Sequence, residues 1–121
     1  MSRERISLGK SGEDIAVDYL QNCGYRLLTR NYRRKSGEID IICLDGDTYV
    51  FIEVKTRKTR RYGHPLEAVT IPKQRQISFT ALDYLTRRGL LESPVRFDVI
   101  AIINDAAEVQ LTHIKDAFEA S

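Results

Sequence analysis

Residues 37–57, GEIDIICLDGDTYVFIEVKTR, decide the fold of this chain. Two runs rich in Ile, Val, Phe and Tyr flank Asp45-Gly46-Asp47, which predicts a β-hairpin around a glycine-containing turn. Both runs are apolar enough to be buried on both faces of a sheet, yet three charged residues interrupt them: Asp40, Glu53 and Lys55. The arrangement of these three charges is the main clue to function.

The register of the hairpin determines which charges meet. Directly opposed residues project to the same side of a sheet, and neighbours along a strand alternate between its faces. With Asp45-Gly46 as a two-residue turn, Asp40 lies opposite Phe51, and Glu38 lies opposite Glu53. Alternation then divides the first strand into two faces: Asp40, Ile42 and Leu44 on one, and Ile39, Ile41 and Cys43 on the other.

This register brings Asp40, Glu53 and Lys55 to one face of the sheet. A three-residue turn would instead set Asp40 beside Ile52 and split the two carboxylates across the sheet. Two neighbouring carboxylates repel each other, and burying either without a partner is costly, so a half-buried pair favours a cation between them. We therefore expect the two-residue turn and a cation-binding pair.

A divalent ion such as Mg²⁺ suits this pair, because it binds one or two carboxylates and keeps water and substrate phosphate as its other ligands. Lys55, on the same face, could orient an attacking water or neutralise charge on a phosphate, as phosphodiester hydrolysis requires. The alternative is an ion-paired patch on a solvated strand face. The Val, Ile and Phe side chains on both faces argue against a solvated strand face and favour a functional site.

Asp40, followed after twelve residues by Glu53-Val54-Lys55, resembles the catalytic motif of the PD-(D/E)XK nuclease superfamily, especially that of the archaeal-type Holliday-junction resolvases. The proline that names the motif is absent, since Ile39 precedes Asp40. The likeness covers nearly the whole chain, residues 9–114. The segments GKSGEDIAVDYL, NYRRKSGEIDII, VFIEVKTR, YGHPLEAV and RFDVIAI are similar to those of the YraN-like family of small bacterial proteins, which is assigned to that superfamily.

The resemblance implies roles for individual residues. Asp40 and Glu53 would be metal ligands, the Val54 carbonyl a third ligand, and Lys55 the catalytic lysine. Glu13 matches the acidic residue that such resolvases carry in their first helix, where it helps to hold metal and water. The implied cofactor is Mg²⁺ or Mn²⁺, and the implied substrate is DNA, branched or otherwise distorted. Dimerisation is common in these resolvases, so a homodimer is one expected assembly, although the sequence identifies no interface.

The chain has 121 residues, which fits one domain with a single core. Its net charge of +2 says little about partners, but five basic residues fall in residues 26–35 and five more in residues 55–61. These clusters flank the candidate site, as expected where a polyanion backbone lies over a carboxylate centre; solvated surface charge is the alternative. The residues predicted to bind nucleic acid are Arg33, Arg34, Lys35, Arg57, Lys58, Arg60, Arg61 and Lys73.

Cysteine content and hydropathy bear on the compartment. Cys23 and Cys43 are too few for a disulfide framework and lack metal-finger spacing. The polar N-terminus has no secretory apolar region, and no long apolar run occurs elsewhere. These features predict a reduced, cytoplasmic protein without a membrane partner.

Outside the hairpin, three charged positions stand out. Glu13 prolongs the apolar stripe of the first helix, which fits either a first-turn residue favoured by the helix dipole or a ligand aimed at the sheet. Lys73 lies on the inward stripe of a second helix, where it could reach the site or extend to solvent from the helix end. Asp98 interrupts an apolar strand and is expected to form a structural pair with Arg96.

The order of the predicted elements is αβββαβ(β). That order permits, and the resemblance selects, an α/β fold with a restriction-endonuclease-like core: a mixed central sheet flanked by helices. His64, in the basic loop, is expected to be a surface residue. The elements are a flexible leader at 1–9, a helix capped by Ser11 and ended by Gly24, a strand at 25–32, the hairpin, a basic loop at 57–64, a helix at 72–88, strands at 95–103 and 108–114, and a short terminal helix or tail at 116–120.

Overall fold

The computed structural model describes residues 11–59, 63–105 and 108–121. The predicted leader at 1–9 and the basic residues Arg60 and Arg61 lie outside these ranges. The order of elements matches the predicted αβββαβ(β), with the final strand present. The elements are α1 (Gly12–Asn22), β1 (Arg26–Arg34), β2 (Gly37–Asp45), β3 (Thr48–Arg57), a 3₁₀ helix (Pro65–Ala68), α2 (Ile71–Arg87), β4 (Val95–Asn104) and β5 (Val109–Phe118).

The five strands form one mixed sheet in the order β1-β2-β3-β4-β5. Only β3 and β4 pair in parallel, and α2 lies in the connection between them; the other neighbours are antiparallel. The buried side chains separate into two clusters, one packed against α1 and the other against α2. The predicted α/β fold with helices flanking a mixed sheet is therefore confirmed.

The hairpin turn is Gly46-Asp47, one residue later than predicted, because Asp45 pairs with Thr48. Each partner on β3 is consequently displaced by two positions, so that Ile42 rather than Asp40 lies opposite Phe51. An even displacement preserves the face of each side chain where the strand is regular. The predicted pairs were wrong, but Asp40 and Glu53 still meet, because a hydrogen bond joins their side chains.

The same change of register removes a second predicted pair: with Ile41 opposite Ile52, Glu38 does not lie opposite Glu53 as expected. On the other side of β2, Glu38 lies opposite Arg33 of β1, and Arg33 Nε donates to Glu38 Oε2 at 3.0 Å. Glu38 is thus engaged at the β1–β2 edge of the sheet.

Alternation along β2 breaks at Asp40. Ile41 packs in the cluster under α1, whereas Ile39 packs with Ile42 in the cluster under α2, so the prediction that Ile39 and Ile41 share a face was wrong. Two distortions explain the break. Regular pairing with β3 stops at Ile41, and on the β1 side the neighbouring residue Asn31 has a positive φ of 52°. The irregularity lies at the first carboxylate of the predicted motif.

The last element extends further than predicted: residues 116–118 belong to β5 and not to a short terminal helix or tail, and residues 119–121 follow without regular structure. β5 runs on to Phe118, past an irregularity at which Asp116 takes a φ of 53°. The backbone N–H of Asp116 donates to Asp98 Oδ1 at 3.0 Å, and Phe118 stacks on Phe97 with ring centroids 5.1 Å apart. A buried acceptor and an aromatic pair thus hold the last residues on the sheet.

Both described helices have end signals; those of α1 were predicted, whereas the Thr70 cap of α2 was not. Ser11 and Asp14 form a reciprocal capping box at the start of α1, and Gly24 follows its end with a φ of 90°. Thr70 caps α2, and Gly89 follows its end with a φ of 67°. Within the described ranges, no helix is long and apolar enough to span a bilayer.

The Thr70 cap offers a test of this local design. Thr70 Oγ1 accepts from the Lys73 backbone N–H at 3.3 Å, so Thr70→Ala removes that acceptor and should lower the free energy of unfolding by about 1 kcal/mol. Thr86→Ala is the matched control, because it makes the same change at an exposed position of the same helix. Urea unfolding followed by circular dichroism measures both; equal effects of the two substitutions would contradict the cap.

Candidate active site

Asp40 lies where the regular pairing of β2 with β3 ends. In a regular ladder the next hydrogen-bonded pair after Ile41 and Ile52 would be Ile39 and Val54. Instead, the Val54 backbone N–H donates to Asp40 Oδ2 at 2.7 Å. The side chain of Asp40 therefore serves as the acceptor for a strand N–H, which fixes the carboxyl group at the edge of β3.

Glu53 brings two lysines together. Its side chain is almost fully buried, with a residue exposure of 5%, and its Oε2 lies 3.3 Å from Lys55 Nζ and 3.6 Å from Lys73 Nζ. Lys55 belongs to the same strand, whereas Lys73 reaches across from the first turn of α2. Lys73 therefore reaches the site and does not extend to solvent from the helix end. A buried carboxylate is costly unless it is paired, and here two cations pair with it.

Asp40 and Glu53 are close enough to change each other's protonation. Burial raises the pKa of Asp40 to about 7, aided by the charge of Glu53 and a hydrogen bond shared with it, while the Val54 N–H opposes the rise. The charge of Glu38 adds a smaller upward effect. The site is thus an acidic-basic cluster of four residues: Asp40, Glu53, Lys55 and Lys73.

Glu13 is engaged elsewhere. Its Oε1 accepts from Arg30 Nε and from Asn31 Nδ2, both at 2.9 Å. Across the described ranges, no three His, Cys, Asp or Glu side chains are grouped so that they could hold a metal ion. The start of α1 does lie against the end of β3, since a Cβ on Gly12 would fall on the Thr56 side chain. The role of Glu13 as a ligand stays a prediction.

The predicted nucleic-acid contacts fall into two described groups. Arg33, Arg34 and Lys35 line an open groove of about 1090 Å³ beside α2, where Arg34 also pairs with Asp83 at 3.1 Å. Arg57 and Lys58 lie at the end of β3, beyond Lys55. His64 is exposed, as expected, and its Nδ1 accepts from the Leu66 N–H and so caps the 3₁₀ helix. One basic group thus lies beside α2, and the other follows Lys55 along the chain.

A second charged network was missed in part. The predicted Arg96–Asp98 pair is confirmed, with Arg96 Nε 2.9 Å from Asp98 Oδ1. Further residues join it, among them two from distant parts of the chain: His113 Nε2 lies 2.7 Å from Asp98 Oδ2, and Tyr19 Oη lies 2.9 Å from His113 Nδ1. One signal could have found them: Asp98 interrupts an apolar strand, and a carboxylate buried there needs more partners than a single arginine supplies.

This second network is a structural device. Burial by itself would raise the pKa of Asp98, but hydrogen bonds from His113, Arg96 and the Asp116 N–H outweigh burial and hold the pKa below its ordinary value. The carboxylate therefore stays ionised inside the sheet and fastens β4 to β5. Tyr19 of α1 is joined to the same network through His113.

Comparison with known proteins gives consistent matches. The model of uncharacterised protein family UPF0102 matches residues 12–102. A UPF0102 protein of Geotalea uraniireducens is 54% identical over 114 residues, covering 93% of this chain and 90% of the relative. A UPF0102 protein of Geobacter sulfurreducens is 53% identical over 113 residues, covering 93% and 88%, and one of Rhodococcus jostii is 46% identical over 114 residues, covering 93% and 97%. The matched region includes the whole acidic-basic cluster.

The raised pKa of Asp40 predicts a pH-dependent stability in metal-free buffer. A carboxyl whose pKa rises from 3.8 to about 7 on folding binds its proton more tightly in the native state, so its contribution to stability is lost as pH rises through this range. Asp40→Asn keeps an acceptor for Val54 but does not titrate. We expect this variant to gain about 1–2 kcal/mol relative to the native protein between pH 5 and pH 8, a value reduced for solvent screening.

Urea unfolding at the two pH values, in EDTA, measures that gain. Asp47→Asn, the same change at an exposed residue of the hairpin turn, is the matched control. A difference between native protein and Asp40→Asn that is the same at both pH values would show that Asp40 does not titrate in this range.

Proposed function

Since the chain belongs to the uncharacterised protein family UPF0102, the YraN-like family that its sequence resembles, we propose that its activity is metal-dependent hydrolysis of phosphodiester bonds in branched or otherwise distorted DNA. The proposal includes membership of the PD-(D/E)XK nuclease superfamily. It makes the protein an endonuclease with a role in DNA repair or recombination.

One observation carries the proposal: two adjacent acidic side chains and two lysines, drawn from three separate elements, meet in a largely buried place. A solvated patch of ion pairs would leave its members exposed, whereas Glu53 is only 5% exposed. Strongly shifted ionisation in a cluster of mixed charge is typical of functional sites, and the pKa of Asp40 is raised to about 7.

The donor set suits a hard divalent cation. Asp40 and Glu53 offer carboxylate oxygens, and because burial together with the nearby charge of Glu53 raises the pKa of Asp40, a divalent ion at this pair would favour the ionised form of Asp40. Mg²⁺ or Mn²⁺ would be held by these two side chains, with the Val54 carbonyl and Glu13 as further proposed ligands. The ion would supply Lewis-acid polarisation of the phosphate and ease deprotonation of the attacking water.

The chain's own residues would do the rest of the work. Water attacks phosphorus, a P–O ester bond breaks, and negative charge accumulates on the phosphate oxygens during the reaction. The Lys55 ammonium, held 3.3 Å from Glu53 Oε2, is placed to orient the water and to stabilise that charge. Lys73, 3.6 Å from the same oxygen, adds a second positive charge to the same place.

Recognition of the substrate would depend on backbone and shape. Arg33, Arg34 and Lys35 form a basic edge along α2, and Arg57 and Lys58 extend from the end of β3. Arginine and lysine in such positions neutralise phosphates and fix the register of the nucleic acid, but they do not read sequence. We therefore propose selection of a DNA structure and not of a base sequence.

A specific observation favours a second candidate function, a non-catalytic nucleic-acid-binding adaptor. Glu53 already has two ammonium partners, Lys55 and Lys73, so part of the cluster is balanced in charge without any metal. In that case the cluster would be a structural ion-pair group, and the basic edges alone would bind DNA. The two functions differ in their response to divalent ions.

Cleavage assays separate the two functions. We would incubate the protein with end-labelled linear duplex, single-stranded, flap and four-way-junction DNA, in Mg²⁺, Mn²⁺ or EDTA. The endonuclease should cut the branched substrates only with metal, and Glu53→Gln, which keeps the size of the side chain but removes its charge, should lower the rate by about 100-fold or more. The matched control is Glu92→Gln, at an exposed residue outside the cluster.

Tight binding without cleavage, unchanged by the metal and by Glu53→Gln, would instead support the adaptor. If the protein neither cuts nor binds any of the four DNA forms, both proposed functions are wrong.

A further inference from the structure

A pocket of about 410 Å³ opens beside Lys55. Three neighbouring strands supply part of its wall, because Lys55 of β3 lies next to Ala101 of β4, and Ala101 lies next to Thr112 of β5. The 3₁₀ helix supplies another part through Pro65 and Ala68. The volume is in the range of pockets that hold small organic groups.

Two alanines leave room for the pocket. On the same face of β4, Phe97 and Val99 fill the space beneath α2 as part of its core cluster. The next residue on this face is Ala101, whose methyl group leaves room where a larger side chain would continue the core. The covering 3₁₀ helix contributes another methyl group, that of Ala68. The space therefore lies at the end of the core, next to the acidic-basic cluster.

The walls combine apolar surface with groups that bind phosphate and heteroatoms. Ala101, Ala68 and Pro65 are apolar, whereas Lys55 and Arg57 carry two positive charges against the one negative charge of Glu67. His64 also lines the pocket; because its Nδ1 accepts from the Leu66 N–H, its Nε2 carries the proton in the neutral ring and can donate. This combination suits a flat heterocycle attached to a phosphate, that is, one nucleotide.

We propose that this pocket receives an unpaired nucleobase of the DNA substrate, from the nucleotide next to the phosphate that lies at Lys55. The inference rests on the proposed function and deepens it. A base inside a duplex reaches such a pocket only after unstacking and unpairing, which cost a few kcal/mol, whereas a base at a branch or bulge has already paid most of that cost. The pocket thus supplies a physical reason for preferring distorted DNA.

Binding in EDTA tests the pocket separately from catalysis. The probes are a labelled duplex with one bulged nucleotide, the same duplex with an abasic residue at the bulge, and a fully paired duplex. The native protein should bind the base-bearing bulge about tenfold more tightly than the abasic bulge. Ala101→Phe and Ala68→Leu, which fill the pocket from opposite walls, should bind both bulges with the affinity of the abasic one.

Two filling variants keep the test decisive if one of them fails to fold, which circular dichroism would reveal. Ala120→Phe, at an exposed residue near the C-terminus, is the matched control and should retain the native preference. Equal binding of the two bulges by the native protein would overturn the proposal that the pocket receives a base. A preference that persists in both filled variants would overturn it as well. In either case cleavage of branched DNA would leave the proposed function standing, whereas absence of binding and cleavage of every DNA would remove the function itself.

Discussion

The Val54 N–H donates to the carboxylate of Asp40 at the point where β2 and β3 stop pairing regularly. A strand N–H in the interior must find an acceptor, and here a side chain supplies it in place of a backbone carbonyl. The carboxyl group is thereby held against β3, where it meets Glu53. The candidate site depends on this substitution of side chain for backbone, because a regular ladder would leave Asp40 without a fixed position.

The second constraint is the charge of Glu53. A carboxylate with 5% exposure must be balanced, and the balance comes partly from its own strand through Lys55 and partly from α2 through Lys73. The cap at Thr70 sets the first turn of α2 and thus the position from which Lys73 reaches Glu53. The site therefore depends on the packing of α2 on the sheet. The core cluster beneath α2 and the acidic-basic cluster are built from the same elements.

Much of the fold could be predicted from local signals, but the exact partners could not. The letters Asp45-Gly46-Asp47 permit two glycine-containing turns, and alternation fixes only the face of each side chain. The faces of residues 41–43 were therefore predicted correctly, whereas the pairs were displaced and Ile39 lies on the face opposite to the predicted one. The last strand was missed at Asp116 because its irregular backbone is stabilised by Asp98, a residue remote in sequence.

Glu13 shows why the rest of the site was harder to predict. A register shift between Leu27 and Thr29 of β1 turns Arg30 toward the face covered by α1, where Arg30 pairs with Glu13. No periodicity in the sequence reveals such a shift, and the pairing of His113 with Asp98 likewise lies across an irregular part of β4 and β5. Bulges and long-range polar partners are set by tertiary packing, which single-sequence patterns do not contain.

The parallel pairing of β3 with β4 orders events during synthesis of the chain. The hairpin of β2 and β3 can form as soon as it emerges from the ribosome, but Lys73 meets Glu53 only after α2 has folded back, and β3 gains its second neighbour only with β4. Such non-local contacts form late in folding. A partly synthesised chain therefore carries Glu53 without its Lys73 partner, and the acidic-basic cluster is assembled only after α2 has folded onto the sheet.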